Sequence, residues 1–298
     1  MEHQPPAVYR SGKSLKSQIA KTEVQQAALA LWHLGQAGIV IKGGGLTCYF
    51  DPYLSDHILE TDPGGIWRRQ FAPPLEPSEI THADYVFVTH EHTDHLDPVT
   101  LKGISLNSPQ AVFVCPAPIT GMLRELSIPD ERIIGAKVTG EIIRPGIRVN
   151  AVACMHEQFF KDADGNHRYL GYVVELNGIT FYHAGDTIGF GELAEWLKPH
   201  RIDIGCLPIN SRDWKRSELG IIGNMGHRDA ADLAVRAGID LLLPIHYDLF
   251  PFNADNPAYF VDYLYRTYPG QKFKMMVPGE RLIYWKESDA VDGRPAGR

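Results

Sequence analysis

The residues best able to do chemistry lie in one nine-residue stretch, Thr89-His90-Glu91-His92-Thr93-Asp94-His95-Leu96-Asp97. Imidazole and carboxylate are ligands for zinc, manganese or iron, and no thiolate is present there to demand a softer ion. The stretch follows Asp84-Tyr85-Val86-Phe87-Val88, a β-branched and aromatic run that predicts a buried strand. Side chains alternate along a strand, so His90 and His92 are expected to point the same way at its end. Asp97-Pro98 favours a loop or helix start, and that turn brings Asp94 and His95 back toward the same space. A solvated histidine-rich turn is the bland alternative. It does not account for His-x-His-x-Asp-His directly after a strand.

Other candidates end apolar runs further along. Val149 to Met155 delivers His156, and Asp240 to Ile245 delivers His246 with Tyr247-Asp248 behind it. The strand Ile179 to Tyr182 leads into His183-Ala184-Gly185-Asp186-Thr187, where Gly185 permits a sharp turn. A carboxylate has two oxygens and can join two cations, so Asp186 is the candidate bridge. His33 and His183 read as packed strand residues, His183 with a supporting or substrate role as the alternative. Asp51, before Pro52, either caps its turn or supports a ligand. His227 is either a helix cap or a proton donor, and Asp248 is a second candidate donor.

These groups must be carried by a chain of 298 residues with 44% apolar and 22% charged residues, enough for a full core. A net charge of −7 argues against nucleic acid as the main partner. No stretch has the length of a membrane span, and Met1 to Lys21 lacks a signal-peptide core, so a cytoplasmic protein is expected. Cys48, Cys115, Cys154 and Cys206 lie far apart in apolar runs and suit reduced core thiols. An N-terminal arm and helix (1–28), a main domain (29–286) and a disordered tail (287–298) are expected. Gly43-Gly44-Gly45 predicts a tight hairpin, and Arg132 to Met155 predicts short antiparallel strands. The irregular segment Tyr53 to His82 is too long to be idle and reads as a lid or pocket wall. It carries Arg68 and Arg69, and a later loop carries Arg212, Lys215 and Arg216; these five are the candidate grips for a small anion.

Taken in order, His90-x-His92-x-Asp94-His95, His156, Gly185-Asp186 and His246 resemble the metallo-β-lactamase fold family. The resemblance implies an α+β, four-layer αββα sandwich with metals at one edge. It implies His90, His92 and His156 on one cation, Asp94, His95 and His246 on a second, and Asp186 between them. The two divalent ions would be manganese or zinc, with iron also compatible. Trp32-His33-Leu34-Gly35-Gln36-Ala37-Gly38, Tyr182 to Thr187 and Pro244 to Asp248 look like the L-ascorbate-6-phosphate lactonase branch and its hydrolase relatives. That branch implies opening of a phosphorylated sugar lactone by metal-bound hydroxide, often in a homo-oligomer, with Asp94 orienting the nucleophile. A phosphodiesterase of the same fold is the second reading. A metal-binding regulator without catalysis is the third, and the complete ligand set speaks against it.

Overall fold

In the first strand, alternate residues serve two different cores. Leu29 and Leu31 belong to one apolar cluster, whereas Ala30, Trp32 and Leu34 belong to another, and every residue of the strand is buried. Such a strand must be covered on both faces. The computed structural model, which describes residues 7–62 and 64–286, shows what covers it.

Six strands enter the first sheet in order: β1 (Ala28–Gly35), β2 (Gly38–Gly43), β3 (Leu46–Phe50), β4 (Tyr85–Phe87), β5 (Val112–Pro116) and β6 (Ile133–Ala136). Seven form the second: β7 (Glu141–Arg144), β8 (Ile147–Ala153), β9 (Leu170–Leu176), β10 (Ile179–His183), β11 (Ile204–Pro208), β12 (Leu241–Ile245) and β13 (Lys272–Phe273). The last strand, β14 (Arg281–Trp285), returns to pair with β1, giving the order β14-β1-β2-β3-β4-β5-β6 against β13-β12-β11-β10-β9-β8-β7. The sheets pack face to face through Leu31, Ile41, Phe50, Tyr172, Val174 and Phe181. Helices α1 (Gly12–Lys21), α3 (Pro98–Asn107) and α4 (Thr120–Glu125) cover the first sheet; α5 (Leu193–Leu197), α7 (His227–Ala237) and α8 (Pro257–Thr267) cover the second. The short helices α2 (His57–Thr61) and α6 (Trp214–Glu218) lie in loops. This is the expected αββα sandwich.

Strand direction explains where chemistry can gather. From β3 to β6, and from β10 to β13, neighbours run parallel; β1-β2-β3 and β8-β9-β10 are antiparallel. Two reversals restore direction, so β1 runs with β3 and β8 runs with β10. The carboxyl ends of β1, β3, β4, β8, β10 and β12 therefore share one edge, the usual location of ligands in parallel sheets. Bonds between the halves hold that edge closed: Leu170 N to Thr89 O (3.0 Å), His246 N to Gln36 O (2.8 Å) and His183 Nε2 to Ala37 O (2.8 Å).

Several local expectations change. Gly44 and Gly45 make the expected two-residue hairpin with left-handed φ of +56° and +83°. The N-terminal helix runs from Gly12 to Lys21, and its Leu15 and Ile19 are buried in the core. β6 pairs parallel with β5 instead of joining an antiparallel set. Segment 53–82 contains α2 and a 3-10 turn, Pro77–Glu79. The expected tail, 287–298, and residues 1–6 of the arm lie outside the described residues.

His82 gives a stability test. Burial, helped by the positive charges of Lys42 and Lys16, lowers its pKa to about 4, and the Tyr49 hydroxyl lies 3.0 Å from its Nε2. The unfolded chain takes up this proton below roughly pH 6.5, before the folded chain does, so stability falls as pH drops from 6.5 toward 4. The slope from this residue is at most about 1.4 kcal/mol per pH unit. Urea denaturation of His82→Asn at pH 7 and pH 5 should show a smaller acid loss than the parent; an equal loss would contradict this account.

Candidate metal centre

The motif after β4 converges by a turn, not by strand alternation. β4 ends at Phe87, and His95 N and Leu96 N both donate to His92 O at 2.9 and 2.7 Å. Asp97 then caps α3 by accepting from Val99 N. Asp51 fixes the turn from beneath: it accepts from Thr89 N (2.8 Å), Thr89 Oγ1 (2.6 Å) and His95 Nδ1 (2.7 Å). The Thr89 hydroxyl, having given its proton to Asp51, can accept from His90 Nδ1 at 3.0 Å. Both rings are thus held through Nδ1, leaving each Nε2 as the free ligand atom. Of the two roles open for Asp51, the geometry gives the supporting one.

Asp186 faces this loop from the other sheet. Its Oδ1 lies 3.2 Å from His95 Nε2 and 3.3 Å from His246 Nε2, while its Oδ2 lies 4.0 Å from both His90 Nε2 and His156 Nε2. Asp94 Oδ2 completes the nearer group at 3.4 Å from His246 Nε2 and 3.6 Å from His95 Nε2. His92 joins His90 and Asp186 in the other group. A tetrahedral ion with ligands at about 2.0–2.1 Å needs them roughly 3.3–3.4 Å apart, close to the separations among Asp94, His95, His246 and Asp186, whereas Asp186 stands wider, at 4.0 Å, from His90 and His156. His90 Nε2, His95 Nε2, His156 Nε2 and Asp186 Oδ1 are buried with no hydrogen-bond partner among the described residues. Buried polar atoms are seldom left so, and a cation is the partner that this donor set fits.

Electrostatics agree. Burial, together with neighbouring histidines, pushes His90 well below the ordinary imidazole range, and burial takes His156 down to about 4. Both are neutral near pH 7, the form that ligates. Around His95 and His246 burial also opposes charge, but the carboxylates of Asp186 and Asp94 outweigh it, raising His95 well above its usual value and His246 to about 9. The carboxylate end of the site therefore demands positive charge.

The Gly185 turn aims Asp186: its φ is +60°, and a Cβ there would lie 2.6 Å from Thr89 Cβ. Gln36, Asp51, Glu157 and His246 also hold left-handed φ, of +55°, +40°, +65° and +61°. Non-glycine residues in that region are costly and persist where surrounding contacts over-determine them.

Gln36 and Tyr169 are missing from the sequence-derived set. The Gln36 amide reaches Asp94 Oδ2 at 2.8 Å and His246 Nε2 at 3.1 Å. A polar residue between Gly35 and Gly38, in a tight turn joining two apolar strands, was the available signal. Tyr169 stacks near His90, with its hydroxyl 3.4 Å from His92 Nε2; burial raises its pKa to about 12 and keeps it protonated.

Other candidates are corrected. Asp248 accepts from His33 Nε2 (2.7 Å) and Gln36 N (2.8 Å), so its oxygens hold the β1–β2 turn in place instead of donating a proton. His33 is accordingly more than core filling. His183 is a packed strand residue: it stacks on Phe50 and meets Ala37 O. His227 is the first residue of α7, after the Gly226 N-cap, with its Nδ1 3.8 Å from Asp255 and its ring against Tyr259 and Tyr263. It neither caps the helix nor lines the pocket.

Beside the cage is a cavity of about 230 Å³, lined by His92, Thr93, Asp94 and Asp186 at its polar end and by Ile58, Trp67, Ile221, Ile222 and Phe250 elsewhere. Segment 53–82 is thus a pocket wall, as expected. The five basic candidates do not line this cavity. Arg69 spends its guanidinium on the carbonyls of Phe71, Ser55 and Tyr53, and Arg216 on Asp213, Asn210 and Asn253. Each braces a loop. Arg68, Arg212 and Lys215 are exposed.

The beta-lactamase superfamily domain matches residues 47–247. The chain belongs to this family. Its fold is the metallo-β-lactamase fold, and the relatives it matches are named metal-dependent hydrolases. Similar proteins include a UPF0173 metal-dependent hydrolase of Nitratidesulfovibrio vulgaris, 27% identical over 259 residues and covering 84% of this chain and 93% of the relative. Another, from Archaeoglobus fulgidus, is 28% identical over 231 residues, covering 76% and 87%. Among solved structures, the metallo hydrolase Igni18 of Ignicoccus hospitalis shares the fold with a TM-score of 0.64 and 20% identity over 87% of this chain and all of that one (100%). An isothiocyanate hydrolase from Delia radicum gut bacteria does so at 0.66 and 16%, covering 86% and 99%. No helix among the described residues is long and apolar enough to cross a membrane.

Two substitutions test the cage. Asp186→Ala should abolish binding of both ions, whereas His246→Ala should spare the group around His90; elemental analysis after manganese or zinc loading reads the difference. Asp51→Ala, which touches no candidate ion position, should weaken metal binding roughly 10–100-fold by freeing His95 and Thr89. Unchanged affinity would mean that Asp51 is only a turn residue.

Proposed function

We propose that the protein hydrolyses a carbonyl ester or lactone of a small molecule at a centre of two divalent ions. His90, His92 and His156 would hold one ion, Asp94, His95 and His246 the other, with Asp186 between them. The observation that carries this reading is the division of Asp186: one oxygen faces His95 and His246, the other His90 and His156. When bound, such a pair of ions lowers the pKa of a shared water and stabilises negative charge developing on the carbonyl oxygen.

The chain's own groups do the rest. Gln36 holds Asp94 Oδ2, which leaves Oδ1 to take the attacking water's proton and return it to the leaving oxygen. The Asp248 clamp on His33 and Gln36 N keeps that amide in reach. Manganese, zinc and iron all suit this mixture of imidazole and carboxylate. A carbonyl substrate is favoured over a phosphodiester because no arginine or lysine among the described residues lines the cavity to grip a phosphate.

Chelation of the ions should abolish turnover of 4-nitrophenyl acetate and γ-butyrolactone, and added manganese or zinc should restore it. Asp94→Asn should lower kcat about 10²–10⁴-fold. Faster turnover of bis(4-nitrophenyl) phosphate than of either acyl substrate would replace this reading with the phosphodiesterase.

A further inference from the structure

The cavity has two unlike ends, and their contrast restricts what can fit. Its polar end consists of His92, Thr93, Asp94 and Asp186; the rest is Ile58, Trp67, Ile221, Ile222 and Phe250, with Asn253 as one polar point. Trp67 and Phe250 meet edge to face, with ring centroids 5.4 Å apart, so the cavity that the carboxylates line also has an aromatic corner. Asn253 Oδ1 accepts from Asn210 Nδ2 (2.9 Å) and Arg216 Nη1 (3.3 Å), leaving its amide nitrogen as a donor.

The walls are also braced. Arg69 ties the loop of Ile58 and Trp67 to its own carbonyls, and Gln70 joins that loop to the segment before Phe250 through Leu249 O (2.9 Å) and Asp248 O (3.0 Å). The loop of Ile221 and Ile222 is fastened beside Asp186 by Met225 N to Thr187 O (3.0 Å). Pre-organised apolar walls select by burying matching surface, and they penalise a charged group that loses water without gaining a partner.

Resting on the hydrolase reading above, we infer that the substrate class is an uncharged ester or lactone with an apolar, aryl or branched alkyl body, not a phosphorylated sugar lactone. Hydrolysis adds one water across the acyl C–O bond: the hydroxyl joins the carbonyl carbon, the alcohol oxygen leaves with the bond pair, and a proton returns to it.

The test compares γ-phenyl-γ-butyrolactone with 6-phosphogluconolactone on the metal-loaded protein. The aryl lactone should be preferred in kcat/KM by roughly 10–100-fold or more. Ile58→Lys, on the half-buried face of α2, should reduce that preference by lowering kcat/KM for the aryl lactone and raising it for the phosphorylated one. Preference for the phosphorylated lactone in the parent, or an unchanged ratio in Ile58→Lys, would overturn the proposal. Binding separates this from the chemistry. The inert lactam 5-phenyl-2-pyrrolidinone should quench tryptophan fluorescence in the parent, with the response lost in Trp67→Phe. Lactam binding with neither lactone hydrolysed would leave the pocket assignment standing and remove the esterase reading; no lactam binding would remove the pocket assignment.

Discussion

The contact on which the centre depends is the trio of bonds that Asp51 accepts from Thr89 and His95. Asp51 lies at the end of β3, and the loop it holds follows β4, so one carboxylate joins two parallel neighbours where their ladder stops. Without it the histidine loop would have turn bonds but no fixed orientation. The bonds leave the outward nitrogens of His90 and His95 free. A buried carboxylate satisfied by three donors is stable where it stands, whereas an unsatisfied one is costly. Folding of the sheet and orientation of the ligands are therefore the same event.

Sheet directions make a centre of this kind possible at all. Each sheet combines an antiparallel part with a parallel part, and the paired reversals return β1 and β8 to the common direction. Residues as distant in sequence as Gln36 and His246 consequently touch, by backbone and side chain together. The left-handed conformations at Gln36, Asp51, Glu157 and His246 mark where strands break off sharply to aim a side chain instead of continuing.

The seven convergent side chains were legible because strand-ending histidines and a glycine-aspartate turn combine two local signals, pattern and composition, whereas the sandwich was legible only through the family resemblance those residues carry. Gln36 was not, since an amide has no distinctive ligand signature and only the closure of the two sheets brings it to Asp94. The basic residues failed as substrate grips for a related reason. Charge shows in a sequence, but direction does not, and Arg69 and Arg216 turn inward to carbonyls that irregular loops leave unpaired. His227 failed because a residue at a helix start can face several ways, and packing against Tyr259 and Tyr263 decides among them.

The braced walls have an evolutionary consequence. The residues that face the ions sit on strand ends, where a shift would disturb the core, while Ile58, Trp67, Ile221 and Ile222 hang on loops anchored by backbone bonds and by Arg69, Gln70 and Arg216, none of which lines the cavity. Such anchors survive exchange of the side chains beside them. Descendants of this chain can therefore diversify in what they accept by changing a handful of wall positions, while the inherited reaction chemistry passes through unaltered.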